Sequence, residues 1–217
     1  MAEPGAAGPR VLPARDPASI EVAVGALLAG AIVGLPTETL YGLAVLPLPD
    51  SLGRLVAAKR RSQEKGIPLL VDGLDQVALI VRVPEAAHRL ALRLWPGALT
   101  LALPLRQNVD LPELLTGGRP TLGVRIPDHP VPRALARRLG PIAVTSANLS
   151  GEPPALTAAQ LIGAVGASLA LVLDDGPVRG GVASTVVGFD QDDRVTFFRV
   201  GALSEAAVRA AAESRAR

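Results

Sequence analysis

The apolar positions of this chain come in short runs: 31–35 (AIVGL), 68–71 (PLLV), 99–103 (LTLAL), 121–126 (TLGVRI), 141–145 (PIAVT), 169–173 (LALVL), 184–189 (STVVGF) and 195–199 (VTFFR). Each has the length of a buried strand. Between several of them the apolar residues recur on a helical period, near 50–61, 84–95, 130–139, 157–165 and 204–213. Ahead of the first run, Asp16 and Pro17 supply an N-cap and a first-turn proline and Gly30 a stop, which predicts a helix over 17–29. Short strands interleaved with helices predict an α/β layered domain. The helices are too irregular for a barrel of eight equal units. The expectation is therefore a single twisted domain with a mixed parallel and antiparallel sheet and flanking helices. One hairpin should pair 184–189 with 195–199. Residues 1–14, rich in Pro and Gly, read as a flexible N-terminal arm, and 15–217, undivided by linker or repeat, as one domain.

Composition narrows the function. The 217 residues are 49% apolar and 19% charged, enough to bury a core without staples. The absence of cysteine removes disulfides, thiol catalysis and cysteine zinc sites, and fits a reducing, cytoplasmic setting. The charge-free stretch 22–37 is shorter than the roughly 20 residues a spanning helix needs, and Gly25, Gly30, Gly34 and Pro36 interrupt it, so no membrane association is expected. An aromatic content of 2% and a net charge of +2 count against a module that stacks single-stranded nucleic acid. Only Lys59 and Lys65 among the 22 cations are lysines, which singles them out for the compact charge of an ammonium.

Four segments place polar groups where a core would not choose them. In 35–43, Thr37, Glu38 and Thr39 follow a buried run directly; they either cap a turn into a helix or face a cavity at a strand end, where open α/β sheets bind ligands. In 58–65, Lys59, Arg60 and Arg61 offer point and forked charge to phosphates, or simply favourable charge at a helix C-terminus. In 144–151, Thr145, Ser146, Asn148 and Ser150 end on Gly151, a loop able to meet an anion or to make an ordinary turn. Arg125 and Arg199 each sit inside an apolar run; either would need a counter-anion if it faced inward. No phosphate-loop, dinucleotide or nucleophile-elbow motif occurs, and His88 and His129 lack ligand spacing, so no metal site built from side chains is expected. His129, between Asp128 and Pro130, reads as a turn residue.

Together, GLPTETLYGLA at 34–44, Lys59-Arg60-Arg61 with PL at 68–69, LWPGALTLAL at 94–103, TLGVRIPDHP at 121–130, TSANLSG at 145–151, STVV at 184–187 and FRVG at 198–201 resemble the threonylcarbamoyl-AMP synthase family, YrdC-like or TsaC, in its short single-domain form. The resemblance implies a twisted α/β domain around a concave basic cavity. It implies an enzyme, a nucleotidyltransferase, that joins L-threonine, bicarbonate and ATP with Mg²⁺ into threonylcarbamoyl-AMP and pyrophosphate. By the same resemblance the product would serve the N6-threonylcarbamoyl modification of adenosine 37 in tRNA. The implied partners are the downstream tRNA threonylcarbamoyl transferase machinery and, weakly, tRNA.

Carried over by motif, Lys59, Arg61, Ser146 and Asn148 form the catalytic group. By the same resemblance Lys59, Arg61, Thr121, Asn148 and Arg199 would bind ATP, and Thr37, Arg125, Ser146 and Ser184 would hold threonine, with Arg125 clamping its carboxylate. Two positions depart from the family: Ile67 stands for its usual Asn and Asp72 for its His, and the basic segment is about two residues longer. The rival readings are a carbamoyl-adenylate-forming domain of hydrogenase maturation type, and an RNA-binding or ribosome-assembly module using the same cavity.

Overall fold

A computed structural model of the chain describes residues 8–213. Ten strands form one mixed sheet: β1 (Arg10–Pro13), β2 (Val33–Pro36), β3 (Tyr41–Val45), β4 (Leu69–Leu70), β5 (Leu99–Pro104), β6 (Thr121–Arg125), β7 (Ile142–Ser146), β8 (Leu171–Asp174), β9 (Thr185–Phe189) and β10 (Val195–Arg199). Their order is β1-β8-β2-β3-β7-β4-β6-β5-β9-β10. The helices are α1 (Pro17–Leu28), α2 (Pro49–Lys59), α3 (Glu85–Leu94), α4 (Glu113–Thr116), α5 (Pro130–Leu139), α6 (Ala158–Val165) and α7 (Glu205–Glu213). The expected α/β architecture is observed, including the antiparallel pairing of β9 with β10. Among the described residues no helix is long and apolar enough to cross a membrane.

The central strands bury both faces, which is why they read as unbroken apolar runs. Side chains alternate across a strand, and here they alternate between two cores. Val33, Leu35, Ile142, Val144, Leu171 and Leu173 join one cluster, beneath α1 and α5. Leu43, Val45, Ala143 and Val172 join the other. Further along the sheet the pattern changes. Leu99, Leu101, Leu103, Leu122 and Val124 still enter the second core, but the residues between them are Thr100, Ala102, Thr121, Gly123 and Arg125. On that side α5 packs over β2, β4 and β7, while Thr100, Arg125 and Ser184 beyond it line a cavity. That stretch is the floor of a cleft.

Three differences from the sequence reading have physical causes. Residues 10–13, placed in the flexible arm, form an edge strand parallel to β8, with Leu12 against the α1 core and Ala14 buried in it. Pro13 is tolerated because an edge strand needs fewer donors. Residues 1–7 lie outside the described residues. The turn at 37–40 leads into β3 rather than a helix, because Tyr41 to Val45 alternate between the two cores and pair antiparallel with β2. The four-residue α4 carries too short a periodic pattern to have been anticipated.

Candidate active site

Three chain features bring the polar segments to the cleft. The β2–β3 hairpin carries Thr37 to Leu40 at its tip, and Gly42 pairs with Ser146 of β7. A β-carbon at Gly42 would lie 2.7 Å from a Val144 methyl, so only glycine lets β3 and β7 approach with their loops side by side. Helix α2 ends with Arg60 in the left-handed region, φ 49°, which turns the chain and sends Arg61 into the cleft. The turn at 94–97 presents the Gly97 carbonyl to Arg125; a β-carbon there would meet the Leu94 oxygen at 2.4 Å.

The cleft has two chambers, an inner one toward the middle of the sheet and an outer one toward its β10 edge. The inner one, about 300 Å³, is walled by Thr37, Thr39, Arg61, Thr100, Arg125, Ser146, Asn148, Ser184 and Arg199, with Tyr41, Gly42, Leu70 and Val144 among its apolar lining. The outer one, about 420 Å³, shares Arg61, Pro68, Thr100, Ser184 and Arg199 with it and adds Thr116, Arg119, Thr121, Val186 and the exposed ring of Phe198. Neither lining includes a carboxylate.

The three inner guanidiniums are held alike. Arg61 donates from Nε to Lys65 O (3.1 Å) and from Nη2 to Gly66 O (2.9 Å). Arg199 donates from Nε and Nη2 to Ser184 O (3.1 and 2.9 Å). Arg125 donates from Nε to Gly97 O (2.9 Å) and from Nη2 to Glu38 Oε1 (2.5 Å) and Thr39 Oγ1 (3.2 Å). In each, Nη1 has no hydrogen-bond partner among the described residues. Each planar fork is thus fixed along one edge and free along the other, ready for an anion without reorganisation. Burial pushes Arg61 and Arg199 below the ordinary arginine value, and crowding adds to it, of Arg61 by Arg199 and of Arg199 by Arg125.

Lys59 is placed differently from the expectation. It is fully buried and belongs to neither chamber's lining. Its ammonium donates to Ser146 O, to Asn148 O (2.7 Å) and to Asn148 Oδ1 (3.2 Å). All three protons are spent on the 146–148 loop. Lys59 therefore stands behind the wall and fixes it, because α2 packs beneath that loop and only a long cation can reach its carbonyls. Burial, with Arg61 adding to it, pulls its pKa down to about 8. Asn148 is also committed: Nδ2 donates to Leu149 O (2.9 Å) and Glu152 O (2.6 Å). Ser146 gives its proton to Asn148 Oδ1 (2.6 Å), so toward the cavity it is an acceptor.

Thr37 lines the inner chamber, but its hydroxyl locks the turn. It donates to Leu40 O (2.6 Å) and accepts from Thr39 N (3.2 Å) and Leu40 N (3.1 Å). Thr39, noted among the polar side chains of 35–43 but missed as a partner of Arg125, accepts from Arg125 and donates to Thr37 (2.9 Å). Thr100, also missed, pairs with Ser184 across 2.8 Å. The alternation of Thr100 with Leu99 and Leu101 was the available signal for it. Thr121 reaches only the outer chamber. The departures resolve cleanly. Ile67 is buried in the core, and Asp72 turns away to pair with Arg133 (2.6 Å) and Arg137 (2.7 Å) of α5. His129 caps α5, accepting from Val131 N (3.3 Å), and its Nε2 faces Asp175 (3.3 Å).

Fold and cleft define a class: a mixed α/β domain with a cleft walled by fixed cations and hydroxyls. The Sua5/YciO/YrdC family model, described as telomere recombination, matches residues 25–201, and the chain belongs to that family. It is 36% identical over 202 residues to a threonylcarbamoyl-AMP synthase of Bacillus subtilis, covering 92% of this chain and 58% of that protein. It is 37% identical over 170 residues to a putative threonylcarbamoyl-AMP synthase of Mycobacterium tuberculosis, covering 76% of each. Among solved structures, Pyrococcus abyssi Sua5 complexed with L-threonine superposes with a TM-score of 0.86 at 31% identity, covering 93% of this chain and 60% of that one. The chain thus spans about three fifths of the B. subtilis and P. abyssi proteins.

Proposed function

We propose that this chain is an L-threonylcarbamoyladenylate synthase, making threonylcarbamoyl-AMP and pyrophosphate from L-threonine, bicarbonate and ATP. The observation that carries the reading is the set of three guanidiniums, each pinned along one edge and open along the other, around one hydroxyl-lined cleft. The family membership and the threonine-bound relative agree with it.

Arg125 Nη1 takes the threonine carboxylate, and Ser146, an acceptor toward the cavity, takes the threonine hydroxyl or ammonium. Arg61 and Arg199, which lie at the junction of the chambers, receive the triphosphate. Ser184 helps hold threonine from that same junction. Thr121 and the Phe198 ring flank the nucleoside in the outer chamber. Lys59 and Asn148 act by holding the wall, and Thr37 by holding the turn. Mg²⁺ would be brought by the nucleotide, since the lining offers cations and hydroxyls rather than carboxylates.

The reaction then follows by balance. The ammonium gives a proton to solvent, and the free amine and bicarbonate then form a carbamate with loss of water. A carbamate oxygen attacks the α-phosphorus, and pyrophosphate leaves. No strong base is needed once the amine is unprotonated. The protein's work is to align two reactants and neutralise developing phosphate charge, in a chamber that keeps a water-labile carbamate from bulk solvent. The product would pass to the tRNA threonylcarbamoyl transferase machinery.

The test is pyrophosphate release from ATP and bicarbonate with a panel of amino acids. Threonine should lead, with serine a weak competitor, since one methyl is worth about 1–3 kcal/mol. Release independent of the amino acid would overturn the reading. Salt-sensitive RNA affinity without any release would favour an RNA-binding module instead.

A further inference from the structure

Three of the four cleft arginines are pinned alike, yet only one of the three has a counter-charge. Arg61 and Arg199 rest on backbone carbonyls and the Ser184 hydroxyl, whereas Arg125 is paired with Glu38. Glu38 sits at the hairpin tip and reaches Arg125 from outside the cavity lining. Its other oxygen, Oε2, is buried without a hydrogen-bond partner, the only such side-chain atom among the described residues. A glutamine or threonine there would avoid leaving a charged acceptor unsatisfied, so the negative charge itself has a use.

We infer that Glu38 is a specificity-determining residue: by balancing Arg125 it makes that arm of the cleft a receptor for a zwitterionic amino acid and turns simple anions away. A bare guanidinium attracts any carboxylate, bicarbonate or phosphate. With Glu38 on Nη2, an anion on Nη1 lies about 5 Å from a second negative charge, and at an effective dielectric near 20 that repulsion exceeds tenfold in affinity. The ammonium of an amino acid cancels most of it. Arg61 and Arg199, with no carboxylate partner, remain open to the polyphosphate. One cleft thereby sorts two anionic ligands by net charge. The inference rests on reading Arg125 as the anchor of the substrate carboxylate.

The test compares L-threonine with 3-hydroxybutyrate, which lacks the amine, as ligands of the whole chain by calorimetry. The native protein should bind 3-hydroxybutyrate at least tenfold more weakly than threonine; equal binding overturns the inference even if no variant folds. Glu38→Gln should shrink the ratio of the two dissociation constants about tenfold, with the nucleotide KM within twofold. Glu38→Asp should restore part of the discrimination. A merely structural role would weaken both ligands together, and an unchanged ratio in Glu38→Gln overturns the inference. Arg125→Lys separates the two ideas. If it binds threonine as the native protein does, the reading of the site falls and the inference with it. If it loses threonine while the Glu38→Gln ratio stands unchanged, only the role of Glu38 falls.

Discussion

Replacing Lys59 by methionine keeps a stem of similar volume in the core and deletes only the ammonium. Asn148 O then loses its donor, while Ser146 O keeps only Asn148 N and Asn148 Oδ1 keeps only the Ser146 hydroxyl. A buried acceptor left short costs about 1–3 kcal/mol. Against this, the variant no longer desolvates a cation, a cost visible in the fall of the Lys59 pKa to about 8. The balance is a destabilisation of about 2–4 kcal/mol, or roughly 4–16 °C in Tm for a chain of this size. The 146–148 loop should relax by about an ångström, and turnover should fall on the order of 10²-fold. The assay is threonine-dependent pyrophosphate release with varied ATP and varied threonine, beside thermal unfolding. Because Lys59 stands behind the wall, both substrates should bind more weakly. A defect confined to nucleotide affinity would mean that Lys59 instead swings out to touch phosphate. Native stability together with native activity would refute the whole argument.

Three other outcomes follow from particular contacts. Gly42→Ala should cost about 1–3 kcal/mol by overpacking against Val144, read from a denaturation midpoint; an unchanged midpoint would show that β3 and β7 have slack. Lysine-labelled protein should give two side-chain NMR signals, and the one that survives Lys65→Arg should titrate near pH 8. The sign is fixed by linkage: between pH 8 and the ordinary 10.5 the unfolded chain binds the extra proton, so the Lys59 contribution to stability rises with pH in that window. A Lys59 ammonium still charged at pH 10 would contradict its burial. Asp72→Asn should leave turnover within twofold and cost no more than about 1 kcal/mol, since its partners Arg133 and Arg137 are partly exposed; a tenfold loss of turnover would put Asp72 in the site.

The fold was legible where apolar periodicity was strong, and the cleft was legible through its motifs. What the sequence left open was direction. Arg125 and Arg199 alternate with apolar neighbours in the same way whether they face water or a chamber, and only the cavity beyond α5 decides it. Lys59 and Arg61 are two residues apart in one basic run, yet the left-handed turn at Arg60 sends one behind the wall and the other through it. Thr37 and Thr39 look equivalent, but the hydroxyl of the first closes the turn and that of the second meets Arg125. The strand at 10–13 was hidden because it carries few apolar residues and depends on β8, some 160 residues away, for its pairing.

The most direct test of a shared cleft is a crystal structure with a non-hydrolysable ATP analogue and L-threonine. The phosphates should lie between the free edges of Arg61 and Arg199, with the threonine carboxylate on Arg125 Nη1 and its amine turned toward the α-phosphate. A nucleotide seated elsewhere, such as the groove between α1 and α5, or a threonine carboxylate held away from Arg125, would contradict the account.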